Sequence, residues 1–308
     1  MRSRILAGID IGTNTFRLLI AKVNDKSLNE LYSERRITRL GEGVSVTGLL
    51  KEEAIKRGLK SLKEFSSIIA GQKVDAVEAV ATSAFRVAKN GGDFVKRAKD
   101  ETGIDINIIS EEEEAWKTFR GMKMGIEIRE SSLMVDIGGG STEFILAKKG
   151  NALFIRSLKL GVVYLTDMYM KSEPLSDDEI RHMRNEVLQA LSSLEPQFSE
   201  AKALIGTAGT ITTIAAMSKG LTGFERAKIH NTRISLEDVR DIFTAISGSA
   251  RKERAELYPA LDASRLDIIV PGAMILLEIM MMFGFKEITV SDNGLREGIL
   301  LDLYDKIA

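Results

Sequence analysis

The same short pattern, an aspartate followed by a glycine-containing turn, occurs twice in this chain. The first copy, DIGTNT, occupies residues 10–15, and the second, DIGGGST, occupies residues 136–142. Each copy lies between two apolar runs, which predicts a buried strand, a tight turn and a second strand. Glycines let backbone N–H groups approach an anion, and hydroxyl side chains add further donors. Each copy therefore predicts a phosphate-binding turn, and two such turns facing each other would hold a polyanion.

The aspartate of each copy is a candidate metal ligand. A carboxylate beside a bound phosphate is unfavourable unless a divalent cation lies between them. Asp10 and Asp136 are therefore candidate ligands of Mg²⁺, or of Mn²⁺ in its place, since Mg²⁺ combines one or two carboxylates with waters and phosphate oxygens. Glu143, in the strand that follows the second turn, is a third candidate, bound directly or through water. The alternative is that each Asp only builds a turn, and the repetition argues against it.

Four consecutive glutamates, residues 111–114, begin an amphipathic helical pattern. Ser110 and Glu113 have the spacing of a capping box, and acidic residues suit a helix N-terminus, which accounts for the first three. Glu114 differs because its neighbours along the helix are small. These are Thr118, Gly121 and Gly125. Such a stripe permits close approach of another lobe or of a ligand, and in the second case Glu114 becomes a candidate general base that activates water.

Other strand-to-helix connections carry anion-binding groups. Arg86 follows two hydroxyl residues at the start of a helix, where N–H groups bind anions and the guanidinium adds a bidentate donor. Arg17 lies similarly beyond the first turn, and residues 206–210 and 291–297 form further glycine loops. Each loop alone is an ordinary connection, but together they favour an anion site. The candidate phosphate ligands are Gly12, Thr13, Asn14, Thr15, Arg17, Arg86, Gly138, Gly139, Gly140, Ser141, Thr142, Gly206, Gly209 and Thr210.

Composition limits the kinds of partner. The 308 residues leave room for two domains, and 44% hydrophobic with 28% charged residues is typical of a soluble globular protein. The formal net charge of −1, from 43 basic and 44 acidic residues, gives no overall attraction to nucleic acid or membrane. The absence of cysteine excludes disulfides, cysteine-ligated zinc and a cysteine nucleophile. With no signal-peptide pattern at the start, we expect a cytoplasmic protein.

The predicted elements that must position these residues repeat along the chain. The first half has strands at 4–11, 15–23, 28–37, 74–81 and 105–109, and helices at 51–70, from 84, 93–101 and 111–124. The second half has strands at 132–137, 142–148, 151–159, 201–206 and 286–291, and helices at 162–170, 176–198, 210–218, 235–246, 265–283 and 294–306. Both halves thus run β-β-β-α-β-α-β-α, which predicts two α/β lobes, each with a mixed sheet flanked by helices. We place the domains at 1–125 and 126–308, and leave open whether helix 294–306 packs back on the first lobe.

Taken in order, the motifs resemble those of the exopolyphosphatase/guanosine pentaphosphatase (Ppx/GppA) family, within the sugar kinase, chaperone and actin ATPase (ASKHA) superfamily. The residues that carry the resemblance are 10–17, 39–43, 81–86, 113–115, 136–143, 206–210, 265–272 and 294–298. The resemblance covers essentially the whole chain. It implies a duplicated actin-like (ribonuclease H-like) α/β fold, with two lobes and a cleft between them.

The resemblance also implies Mg²⁺-dependent hydrolysis of a terminal phosphoanhydride, in inorganic polyphosphate or in guanosine pentaphosphate. The catalytic glutamate of the family falls on Glu114, its metal or water ligands on Asp136 and Glu143, and a phosphate-binding arginine on Arg86. We therefore predict an exopolyphosphatase in which turn N–H groups fix the phosphates and Glu114 activates water. Its expected partner is inorganic polyphosphate or guanosine pentaphosphate, with no nucleic acid or membrane partner, and a homodimer is left open.

Three alternatives remain at this point. A guanosine pentaphosphate 5′-phosphohydrolase needs a base-stacking pocket, which 6% aromatic residues neither supply nor exclude. A regulator that binds polyphosphate or nucleotide without hydrolysis is disfavoured by the intact set of Glu114, Asp136 and Glu143. A kinase of the same superfamily would need an adenosine pocket around residues 206–210 and an acceptor-binding lobe, and the second half has little insertion for either.

Three departures from the family pattern affect these expectations. Glu111 stands where many members have glycine, which adds a negative charge near the predicted site. Tyr164 stands where many have arginine, which would remove a phosphate contact. Longer members continue into a helical C-terminal region beyond the point where this sequence ends. That difference argues against processive degradation of long chains but not against hydrolysis.

Overall fold

A computed structural model describes residues 3–25, 27–194 and 196–308 of the chain. The chain divides into two compact units. The first unit combines the chain up to Met124 with Asn293–Ala308, and the second unit is Gly125–Asp292. The first unit is therefore built from both ends of the sequence.

The sheet of the first unit is mixed and has five strands. They are β1 (Arg4–Ile11), β2 (Thr15–Asn24), β3 (Ser27–Ile37), β4 (Ala76–Ala81) and β5 (Ile106–Ile108). The spatial order is β3-β2-β1-β4-β5, with β1, β2 and β3 antiparallel and β1, β4 and β5 parallel. Short turns join the antiparallel strands, whereas helical crossovers join the parallel ones, as the two strand geometries require.

Five helices of the first unit follow in chain order. They are α1 (Val44–Thr47), α2 (Glu52–Ala70), α3 (Ser83–Val87), α4 (Gly91–Thr102) and α5 (Glu111–Gly125). The apolar face of α2 that its helical spacing predicts is buried, with Leu59, Leu62 and Phe65 at most 3% exposed. It packs with Phe16 and Phe94 against one face of the sheet, and the two phenylalanine rings meet edge to face at 6.3 Å.

The second unit repeats this plan with additions. Its strands are β6 (Ser132–Ile137), β7 (Thr142–Lys148), β8 (Asn151–Leu158), β9 (Ala203–Thr207), β10 (Arg233–Ser235) and β11 (Glu287–Val290). Its helices are α6 (Val162–Tyr169), α7 (Asp177–Leu191), α8 (Ala208–Ser218), α9 (Arg226–Ile229), α10 (Leu236–Ser247), α11 (Arg251–Leu257) and α12 (Ile269–Met282).

The strand order of the second sheet demonstrates the duplication. That order is β10-β11-β9-β6-β7-β8, so the run β8-β7-β6-β9-β11 repeats the order β3-β2-β1-β4-β5 of the first sheet. The parallel and antiparallel pairings also match strand for strand. The predicted fold class, a duplicated α/β fold with a mixed sheet in each half, is confirmed.

Several predicted boundaries in the second half were wrong. The helix predicted at 176–198 ends at Leu191, and a separate 3₁₀ helix spans Pro196–Glu200. A proline has no backbone N–H and clashes with the preceding helical turn, so a helix cannot continue through it undisturbed. The strand β10 and the helix α11 were not predicted, because each is too short to give a clear periodicity.

The last helix, α13 (Leu295–Ile307), completes the first unit. It covers the face of the first sheet that α2 and α4 leave open, so that the sheet is buried on both sides. Leu300 and Tyr304 pack there against Leu6 and Leu19 in a separate apolar cluster. A Cβ atom at Gly8 of β1 would lie 3.1 Å from the Leu300 side chain, which shows how closely helix and sheet approach.

Candidate active site

The first glycine turn, residues 12–15, is held closed by backbone hydrogen bonds. The Gly12 N–H donates to the Thr15 carbonyl at 3.1 Å, and a Cβ atom at Gly12 would lie 3.0 Å from that oxygen. The Thr13 and Asn14 carbonyls accept N–H groups from the segment 38–41 at 2.8 to 3.1 Å. These carbonyl oxygens, which would repel an anion, are therefore directed into the protein.

Asp10 lies directly across from an arginine. Asp10 of β1 and Arg17 of β2 are register partners, so their side chains lie on the same face of the sheet. Burial raises the pKa of the Asp10 carboxyl, while the positive charges of Arg17 and Arg296 oppose that rise. The Glu297 carboxylate also raises the pKa of Asp10. Arg296 and Glu297, at the start of α13, are thus close enough to Asp10 to change its pKa.

The second glycine turn closes in the same manner. The Gly138 N–H donates to the Ser141 carbonyl at 2.9 Å, and a Cβ atom at Gly138 would lie 3.0 Å from that oxygen. The Gly138 and Gly139 carbonyls accept the first two N–H groups of α6, at 3.1 and 2.8 Å. A Cβ atom at Gly161 would lie 2.3 Å from the Gly139 carbonyl, so this approach requires glycine at position 161.

Asp136 lies directly across from a second carboxylate. Asp136 of β6 and Glu143 of β7 are register partners, at the positions that match Asp10 and Arg17 in the first unit. Glu143 is 1% exposed and accepts a hydrogen bond of 2.9 Å from the Ser157 hydroxyl. Two carboxylates on one face of a sheet repel each other unless a cation is shared between them.

The donor set of the second unit fits a hard divalent cation. Mg²⁺ takes one or two protein carboxylates and fills its remaining positions with waters and phosphate oxygens. Asp136 and Glu143 supply that number of carboxylates. Within residues 3–25, 27–194 and 196–308, no group of three or more His, Cys, Asp or Glu side chains could hold a metal ion by itself.

Arg86 and Glu114 come together at the ends of two parallel strands. Because β1, β4 and β5 are parallel neighbours, their carboxyl ends, which lead into the first turn, α3 and α5, lie at one edge of the sheet. Nη1 of Arg86 donates to Glu114 Oε2 at 2.7 Å and to the Ile109 carbonyl at 3.1 Å. Nη2 of Arg86 is buried and has no hydrogen-bond partner in the part of the chain that the structure describes.

The four glutamates of α5 have separate environments, as their positions predict. The Ser110 N–H donates to Glu113 Oε2 at 2.8 Å, and the Glu113 N–H donates to Ser110 Oγ at 3.1 Å, so the predicted capping box is confirmed. Glu112 and Glu113 are exposed, whereas Glu114 is only 9% exposed. Burial singles out Glu114 among the four.

The small-residue stripe of α5 is the place where this helix meets α13. A Cβ atom at Gly121 would lie 1.9 Å from the Gly294 carbonyl, at the start of α13. A Cβ atom at Gly298 would lie 1.8 Å from the Lys117 carbonyl, on α5. The stripe therefore permits α5 and α13 to cross at backbone contact inside the first unit. The small residues do permit a close approach, as their spacing indicates, but helical spacing does not identify which element approaches.

The loop at residues 206–210 joins β9 to α8 and is backed by an arginine. A Cβ atom at Gly209 would lie 2.0 Å from Nη2 of Arg265, so the guanidinium lies directly against the glycine. Arg265 is 6% exposed and Thr210 is 3% exposed. Ala208 has a φ of 75°, an unusual conformation for a residue with a side chain. This loop is thus tightly constrained beside a buried cation.

Tyr164 is turned toward α7. Its hydroxyl donates to Glu186 Oε1 at 3.0 Å, and the Tyr169 hydroxyl donates to Oε2 of the same carboxylate at 3.1 Å. Burial and the hydrogen bond to Glu186 raise the pKa of Tyr164 to about 12. The tyrosine that replaces the arginine of the family pattern therefore has a role in helix packing.

The family model for Ppx/GppA phosphatases matches residues 19–307. The chain belongs to this family. Exopolyphosphatase 2 of Mycobacterium tuberculosis is 32% identical over 97% of this chain and 98% of that protein. A bifunctional 3-dehydroquinate synthase/phosphatase of Fusobacterium nucleatum is 35% identical over 96% of this chain, which spans only 46% of that longer protein. The solved structure of an exopolyphosphatase from Cytophaga hutchinsonii is 31% identical, with 98% coverage of both chains and a TM-score of 0.91.

The structure adds three residues to the candidate set of this Ppx/GppA phosphatase. Arg265 lies against Gly209, while Arg296 and Glu297 act electrostatically on Asp10. All three stand in motifs that carried the resemblance, but no local spacing connects them to the glycine turns. In the described part of the chain, no helix has both the length and the apolar character needed to cross a bilayer.

Proposed function

We propose that this Ppx/GppA phosphatase is an exopolyphosphatase, which hydrolyses the terminal phosphoanhydride of inorganic polyphosphate with water and a divalent cation. The observation that carries the proposal is the pair of buried Glu114 and Arg86, in which Nη2 of the guanidinium is buried and has no hydrogen-bond partner among the described residues. A carboxylate that can accept a proton from water thus lies beside a donor that can take a phosphate oxygen. Relatives named exopolyphosphatase support the choice of substrate.

The phosphate ligands we propose belong to both units. In the first, the N–H groups of residues 12–15 and the side chains of Arg17 and Arg86 would hold phosphate oxygens. In the second, the N–H groups of residues 138–142 and of the loop 206–210 would do the same. Preorganised donors of this kind stabilise the charge on the equatorial oxygens as the phosphoanhydride bond breaks.

We assign the divalent cation, Mg²⁺ or Mn²⁺, to Asp136 and Glu143. When bound, it would neutralise charge on the phosphate oxygens and thereby favour attack by water. Asp10 was also a predicted ligand, but it faces Arg17 rather than a second carboxylate. We therefore propose that Asp10 orients the guanidinium groups of Arg17 and Arg296, while the cation is held in the second unit.

Glu114 would act as the general base, taking one proton from the attacking water. Its hydrogen bond to Arg86 fixes the orientation of the carboxylate. Burial of Glu114 limits the competing water around it. Arg86 would thus position the base with Nη1 and a phosphate oxygen with Nη2.

The test is phosphate release, in the presence of Mg²⁺, from long-chain polyphosphate, tripolyphosphate, guanosine pentaphosphate and ATP. We expect release from polyphosphate, and we expect Glu114→Gln to lower kcat by about 10²–10⁴-fold while leaving substrate affinity largely unchanged. Glu113→Gln is the matched control, because glutamine still completes the capping box and residue 113 is exposed.

Other outcomes would replace the proposal. Preferential release from guanosine pentaphosphate would make the chain a guanosine pentaphosphate 5′-phosphohydrolase that uses the same residues. Tight binding of polyphosphate without release from any substrate would make it a regulator. A Glu114→Gln variant that loses affinity but keeps kcat would remove the general-base role.

A further inference from the structure

The segment that supports the first glycine turn also carries a cluster of cations. The N–H groups of Thr38 and Arg39 donate to the Asn14 carbonyl at 3.1 and 3.0 Å, and the Gly41 N–H donates to the Thr13 carbonyl at 2.8 Å. Arg39 has a φ of 48°, a strained conformation for a residue with a side chain. The segment is thus fixed to the turn by three hydrogen bonds, one of them from a strained residue.

Three cations surround one carboxylate of this segment. Nζ of Lys51 lies 2.9 Å from Glu42 Oε1, and Nη2 of Arg57 lies 4.0 Å from Glu42 Oε2. Arg39 also acts on the Glu42 carboxylate, and the three cations, Lys51 foremost, lower the pKa of Glu42. Among these four side chains, three carry a positive charge and one carries a negative charge.

This cationic cluster, Arg39, Lys51 and Arg57 around Glu42, is open to solvent. The side chains of Lys51 and Arg57 are 46% and 45% exposed. Arg57 is also anchored, since its Nε donates to the Thr38 carbonyl at 2.8 Å. The chain as a whole carries a net charge of −1. The positive charge beside the turn therefore results from where these side chains lie, and not from an overall excess of basic residues. Such a local positive charge attracts a polyanion.

We propose that the cationic cluster binds phosphate units of a long linear polyphosphate, beyond those held at the first glycine turn. This inference rests on the proposed function and extends it to chain-length preference. Each further phosphate of a long chain adds a charge that the cluster can neutralise, so we expect the cluster to add most to the affinity for long chains. The cluster therefore raises affinity for long chains selectively and leaves the chemical step unchanged.

The test measures equilibrium binding of long-chain polyphosphate and of tripolyphosphate, at low and high salt, in the Glu114→Gln background. Lys51→Glu replaces an attraction by a repulsion at a half-exposed position, so we expect about tenfold weaker binding of the long chain and a smaller salt dependence. Tripolyphosphate binding should change by less than about twofold. Glu42→Gln removes the only carboxylate named in the cluster, so it should strengthen long-chain binding.

Lys60→Glu is the matched control, because Lys60 is exposed on α2 and lies about 13 Å further along the helix than Lys51. Equal effects of Lys51→Glu on both substrates, or equal effects of Lys51→Glu and Lys60→Glu, would overturn the inference. If Lys51→Glu lowers the melting temperature, the same binding measurements are made with Lys51→Met, which removes the charge without adding repulsion. Weaker binding of the long chain alone by Lys51→Met would then support the inference. Because binding is measured without turnover, a wild-type chain that releases no phosphate would contradict the proposed function alone.

Discussion

At the scale of single residues, the two glycine turns differ in the charge that faces their aspartates. Asp10 faces Arg17, whereas Asp136 faces Glu143 at the matching register position. In the first arrangement a negative and a positive side chain face each other. In the second, two negative side chains face each other, and a bound cation would reduce their repulsion. We propose that this one difference, arginine in place of glutamate, makes the first turn suited to an anion and the second to a cation.

Glu179 gives a residue-scale prediction about pH. Burial acts to raise the pKa of Glu179, but hydrogen bonds from Ser172, Ser176 and Lys171 outweigh burial and lower this pKa to about 2. The reference pKa for the unfolded chain is 4.5. The folded-state pKa is the lower one, so the stabilisation is present above 4.5 and is lost as pH falls from 4.5 toward 2. We expect Glu179→Ala to lower the free energy of unfolding by about 1–2 kcal/mol near neutral pH and by less near pH 3.

Denaturant titrations at the two pH values check this expectation. Asp178→Ala is the control, because Asp178 is an exposed acidic residue in the same helical turn and pairs with exposed Arg181, at 2.8 Å. The control should cost less than about 1 kcal/mol at both pH values. A destabilisation by Glu179→Ala that does not depend on pH would mean that the lost packing of the side chain, and not its charge, is responsible.

At the scale of elements, the crossing of α5 and α13 determines where Glu114 lies. The two helices touch at backbone distance through Gly121 and Gly298, and charged side chains join them farther along. Nζ of Lys117 donates to Asp302 Oδ2 at 2.6 Å, and Nη2 of Arg120 donates to Asp305 Oδ2 at 2.7 Å. The Lys117 ammonium is buried and also lies 3.7 Å from Glu78 Oε1, so it links α5 to both α13 and β4.

Gly298→Ala should therefore displace α5. A Cβ atom at position 298 would lie 1.8 Å from the Lys117 carbonyl, so the helices must separate. We expect a loss of roughly 3 kcal/mol of unfolding free energy and a fall in kcat at temperatures where the variant is folded. Gly92→Ala is the matched control, because Gly92 is also helical and nothing lies within 4 Å of its Cβ position. Gly92→Ala should raise the free energy of unfolding by about 0.5–1 kcal/mol. If Gly298→Ala and Gly92→Ala had equal effects, the helices would not be tightly packed at the crossing.

Features that depend on local signals could be predicted from the sequence. The glycine turns, the capping box of Glu113 and the distinct position of Glu114 follow from short-range patterns, and the structure has them. Long-range contacts could not be predicted in this way. The positions of Arg265 beside Gly209 and of Gly294 beside Gly121 depend on tertiary packing between distant segments, which periodicity does not encode.

At the scale of the molecule, the two units differ in how the chain builds them. The second unit is one continuous segment, Gly125–Asp292, with its own large apolar core. We expect a fragment of these residues to fold alone, with dispersed amide signals in NMR and a cooperative unfolding transition. A fragment of residues 1–124 should remain incompletely folded until a peptide of residues 293–308 is added, because Leu300 and Tyr304 cover one face of its sheet. A well-dispersed spectrum of 1–124 alone would contradict this account.

The split construction of the first unit also has a consequence for synthesis on the ribosome. Translation produces β1 before the second unit, yet the helix that covers one face of its sheet, α13, is produced only after the second unit. The nascent first unit must therefore wait, with apolar side chains of β1 and β2 uncovered, while the whole second unit is translated and can fold. Such exposure favours aggregation or chaperone binding during that interval. A chain that stopped between the second unit and α13 would thus damage the first unit, although that unit is made earlier.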